Sequence, residues 1–84
     1  MRIYVEDPRE GIRCEIDVTP HTTVEEVLKE LAASGYIESI ENWTLLRGAV
    51  PLNPQNTLKS EGVEDGDTLQ LIPVTIGGEA WNSL

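Results

Sequence analysis

Two short runs of alternating side chains at the start of the chain limit what it can fold into more than any other feature. Met1, Ile3 and Val5 share one face of the first run. Ile12, Cys14, Ile16 and Val18 share one face of the second, with Arg13, Glu15 and Asp17 opposite. A period of two is that of a strand with one covered side. Between the runs, Asp7-Pro8-Arg9-Glu10-Gly11 carries the Pro and Gly chemistry of a turn. The pair predicts a hairpin with one buried face, in which Cys14 is a small core residue.

The covering element follows at once. Thr22 or Thr23 can cap a helix, each with a glutamate three residues on, Glu25 or Glu26, to close a capping box. Val24, Val27, Leu28, Leu31 and Ala32 then recur at helical spacing and form an apolar stripe, while Glu25, Glu26, Lys29 and Glu30 face water. Ser34-Gly35 ends the helix. After a linking stretch, Trp43-Thr44-Leu45-Leu46-Arg47 reads as a third strand. A short strand at Val50 to Leu52 is made an edge by Pro51. Thr57 to Val63 predicts one helical turn with Leu58 and Val63 inward. Glu64-Asp65-Gly66-Asp67 predicts a turn, and Thr68 to Ile72 a last strand with Leu69 and Leu71 inward and Ile72 outward.

At 84 residues the chain is one small domain with little room for an internal active-site cavity. It carries no nucleophile beside a base, no His/Cys cluster for a metal and no phosphate-binding glycine loop, so neither an enzyme nor a bound cofactor is expected. A single cysteine excludes an internal disulfide. The formal charge of −9 repels nucleic-acid phosphates and anionic membranes, and favours basic partners. With neither a signal-like apolar run nor a membrane-length segment, a soluble cytoplasmic protein is expected.

The order hairpin, capped helix, strand, short edge strand, helical turn, strand resembles ubiquitin and its prokaryotic relatives over residues 1 to 78. The resemblance rests on Met1-Arg2-Ile3-Tyr4-Val5, Glu15-Ile16-Asp17-Val18-Thr19-Pro20 and Thr23-Val24-Glu25-Glu26-Val27. In the second half it rests on Leu45-Leu46-Arg47-Gly48, Leu52, Thr57-Leu58, Gly62-Val63 and Thr68-Leu69-Gln70-Leu71. It implies an α+β β-grasp: a mixed sheet of four to five strands packed on one helix, with the domain over 1–76 and a tail over 77–84.

That family gives the pair Gly77-Gly78 a meaning. Its conjugated members end in Gly-Gly, often after a peptidase removes further residues, here Glu79 to Leu84. The resemblance thus implies a protein-modifier precursor, cut between Gly78 and Glu79 and then activated at the Gly78 carboxylate. Its partners would be a processing peptidase, an ATP-dependent activating enzyme, a conjugating enzyme and target proteins. A noncovalent adaptor, with the glycines a hinge, and a sulfur carrier are the alternatives.

Family members also present an apolar recognition patch, for which Leu45 and Ile72 are the matching positions, with Trp43 as a further exposed anchor. So short a strand does not decide whether Leu45 or Leu46 points inward. The uncharged Val74 and Ile76 replace the basic tail of eukaryotic members, which implies a prokaryotic activating enzyme that reads shape. Trp81 either docks into a peptidase or partner, or packs back on the domain.

Overall fold

The computed structural model describes residues 1–73. The hairpin forms as the alternation predicts: β1 (Arg2–Asp7) pairs antiparallel with β2 (Ile12–Asp17), Val5 opposite Cys14. Asp7 builds the turn between them. Its carboxylate accepts from the N–H groups of Arg9 (3.0 Å) and Glu10 (3.4 Å), and its carbonyl accepts from Gly11 (2.8 Å), whose φ of 69° suits glycine.

Helix α1 (Val24–Ala33) begins at the expected capping box. Glu26 N–H donates to Thr23 Oγ1 (3.1 Å), and Thr23 N–H donates to Glu26 Oε1 (2.8 Å). The next helical N–H groups, of Val24 and Glu25, donate to the carbonyls of Asn56 and Pro54, so the 53–62 segment is laced onto the helix start. At the other end Tyr36 N–H reaches Leu31 O and Gly35 N–H reaches Ala32 O, the paired bonds of a Schellman motif. Val24, Val27, Leu28 and Leu31 are buried, as their spacing predicts.

A 3-10 turn over Ile40–Asn42, not foreseen in the sequence, delivers β3 (Trp43–Arg47), followed by β4 (Val50–Pro51) and β5 (Thr68–Pro73). The helical turn expected at 57–63 is present as a single turn, closed by Glu61 N–H to Thr57 O and not continued into a helix. It buries Leu58 and Val63. Asp67 fastens the turn before β5: its carboxylate accepts from Glu64 N–H (2.9 Å) and Arg47 Nε (3.1 Å).

The five strands form one sheet in the order β2-β1-β5-β3-β4. Only β1 and β5 run parallel. Ile3, Val5, Leu45, Leu69 and Leu71 on the inner face pack with the α1 stripe, Ile37, Leu52, Leu58 and Val63 in one core. This is the α+β β-grasp. No described helix is long and apolar enough to cross a membrane.

Two expectations are corrected. Leu45 is fully buried, because it stands opposite Leu71 on the core face, so it offers no surface to a partner. Trp43 shares that inner face and is half-buried at its rim, so it is not a free aromatic. The apolar side of β2 is also less covered than a one-sided hairpin suggests. Ile12 is 40% exposed, and Cys14 and Ile16 are half-buried, because a groove opens between β2 and α1. Val74, Ile76, Gly77, Gly78, Glu79 and Trp81 lie outside the described residues.

Candidate functional site

The end of β5 is the natural focus, since the tail continues from it. β5 lies between β1 and β3, and its last residues alternate by strand geometry. Leu71 goes inward, Ile72 goes outward opposite Thr44, and Pro73 lies opposite Trp43. On the outer face Leu46 stands opposite Gln70, so Leu46 and Ile72 are diagonal neighbours within side-chain reach. Both are half-exposed, as are Thr44, Gln70 and Tyr4 on the same face.

Ile72 therefore points where the sequence puts it, and its apolar companion is Leu46, not Leu45. Strand parity alone fits either leucine, and the register of β3 against β5 decides between them. If Leu71 is inward, the residue paired with it is inward too, and its neighbour is not.

Beyond the end of β5 lies a second cluster that the sequence did not reveal. Arg9 rises from the β1–β2 turn, and its guanidinium sits 4.9 Å from the centre of the Trp43 ring. Asp7, barely exposed, pairs with Arg9 Nε at 3.6 Å and so fixes the guanidinium over the indole. A cleft of about 310 Å³ opens beside them, lined by Ile12, Cys14, Leu31, Tyr36, Trp43 and Leu71 among others. Burial pushes the Cys14 thiol up from its ordinary pKa, which keeps it protonated and a weak nucleophile at neutral pH.

The remaining surface of the sheet is taken up by ion pairs. Arg2 bonds Asp17 and Glu15, and Arg13 bonds Glu6 while covering the Tyr4 ring at 4.5 Å. Among the described residues, Leu46 and Ile72 form a half-exposed aliphatic island beside these pairs on the outer face, an arrangement suited to docking a protein.

A family model described as ubiquitin-2 like Rad60 SUMO-like matches residues 1–72. No curated protein matches the chain.

Proposed function

The chain belongs to the ubiquitin-like family described as Rad60 SUMO-like, and from that membership we propose that it is the precursor of a protein modifier. Water adds across the Gly78–Glu79 amide, releasing the tail as an amine and leaving a Gly78 carboxylate. That anion is a poor electrophile. An activating enzyme therefore joins it to the AMP portion of ATP with loss of pyrophosphate. A thiol of the enzyme, and then a nucleophile on the target, displaces the leaving group.

The observation that carries this reading is one of position. Gly77 and Gly78 fall four and five residues after Pro73, the last residue of β5. Five residues reach at most roughly 17 Å, enough to put an acyl carbon inside an enzyme while the folded domain stays outside. Glycines make that strip thin. The Leu46–Ile72 island on the outer face suits recognition by the partners that carry out these steps. The protein is then a substrate and ligand, not a catalyst.

Intact mass of the protein recovered from its own cells tests the proposal. The expected species ends at Gly78, or leaves a Gly-Gly remnant on partner side chains, and Gly78→Ala lowers conjugate yield with an unchanged melting temperature. Recovery of only full-length, unattached chains overturns it. The family match stops at residue 72, before the diglycine, and this favours a second reading: a noncovalent adaptor acting through Leu46 and Ile72.

A further inference from the structure

The two edges of the sheet are finished differently. β4 is two residues long and contains Pro51, which has no N–H to offer a further strand. β2 runs six residues without proline, glycine or bulge, in unbroken register with β1. Met1 and Val18 exchange both backbone hydrogen bonds, at 2.7 and 2.8 Å. Such pairs alternate along an antiparallel ladder. Ile16, Cys14 and Ile12 therefore bond toward β1, and the backbone groups of Arg13, Glu15 and Asp17 point away from it. Among the described residues no strand takes them up.

We propose that this edge pairs antiparallel with the β2 edge of a second copy of the chain, about a two-fold axis at Cys14. Charge selects the register. Centred on Cys14, Arg13 faces Glu15 of the second copy and Glu15 faces its Arg13, while Ile12 faces Ile16. Centred one residue either way, Arg13 opposes Arg13 or Glu15 opposes Glu15, and like charges directly opposed are destabilising. Hydrogen bonding agrees with charge. Arg13 and Glu15 carry the outward backbone groups, so their cross-copy pair is the bonded one. Cys14 meets Cys14 at the non-bonded position, where strands approach most closely.

The Glu6–Arg13 pair of each copy, at 3.5 Å, then continues into the Glu15–Arg2 pair of the other, at 3.4 Å, giving two symmetry-related rows of alternating charge across the join. A join of this size is small and makes a weak, concentration-dependent dimer. The charge of −9 on each copy opposes it at low salt, and salt that screens beyond about 8 Å relieves that repulsion while sparing the contacting pairs.

Sedimentation equilibrium of the full chain tests the proposal. The mass should rise from 9.3 kDa toward twice that value between about 10 µM and about 1 mM protein in about 0.15 M salt. R13E alone or E15R alone should weaken association roughly tenfold, and R13E/E15R together should restore it, since only the cross-copy pair is rebuilt. Far-UV circular dichroism establishes that each variant is folded. Added diamide at alkaline pH reads the register: two Cys14 thiols lose two electrons and two protons to it and form an intermolecular disulfide, a bond ruled out where their Cα atoms lie more than about 7 Å apart. A mass fixed at 9.3 kDa throughout, or single variants that associate like the parent, overturns the proposal. A dimer that yields no disulfide overturns the register.

Discussion

Leu45 and Leu46 are adjacent in sequence and opposite in role. Leu45 has no exposed surface and touches the core that Leu71 and Leu69 complete, whereas Leu46 lies half-exposed beside Gln70. Leu45→Ala should destabilise the domain by about 3 kcal/mol, the usual consequence of a cavity at a sealed site. Leu46→Ala should cost under about 1 kcal/mol and instead weaken partner binding. Urea unfolding separates the two.

Asp67 supplies a pH dependence. The Glu64 N–H, and then Arg47, hold its carboxyl below the usual carboxylate range. A carboxyl depressed in the folded state stabilises above its unfolded pKa, near pH 4, and that contribution is lost as pH falls through the lower folded value. Asp67→Asn should therefore flatten the fall in melting temperature below about pH 4, while leaving a folded protein at neutral pH. Neither the buried leucine nor the acid clamp was legible residue by residue: two neighbouring leucines fit either parity, and Asp67 meets Arg47 only when β5 is in place.

Among the elements, α1 was the most legible, since its capping box, stripe and terminal glycine are all local in sequence. Thr23→Ala removes the acceptor for Glu26 N–H and should lower stability by about 1 kcal/mol, read as a shift of the urea midpoint with an unchanged slope. β2 was legible as a strand but not as an edge. Its alternation fits full cover, and only the width of sheet that one ten-residue helix can shield leaves Ile12 exposed. The 3-10 turn at Ile40–Asn42 had no signal of its own, being set by where α1 ends and β3 must begin. The Arg9–Trp43 contact was hidden for a similar reason, because it joins a turn to a strand that sequence separates by more than thirty residues.

For the molecule as a whole, charge is the dominant long-range property. All four arginines pair with acids in the described residues, and fifteen acids against six bases leave a net excess of negative charge spread over a small surface. Self-repulsion of that kind weakens the compact state and is screened by salt. The melting temperature should thus rise by a few degrees between about 0.01 and about 0.2 M sodium chloride, and calorimetry checks this. Up to Pro73 the architecture was readable because burial imposes periodicity. The chemistry proposed for Gly78 resides in a main-chain carboxylate, which needs no packing pattern and so leaves none. β1 and β5 lie side by side and point the same way, joined through Tyr4–Thr68, Val5–Leu69 and Glu6–Gln70. A tug on a cargo fixed to the C-terminus, resisted at the N-terminus, would load those hydrogen bonds together and lengthwise, so the domain should hold as a mechanical clasp where a ladder peeled from one end would unzip.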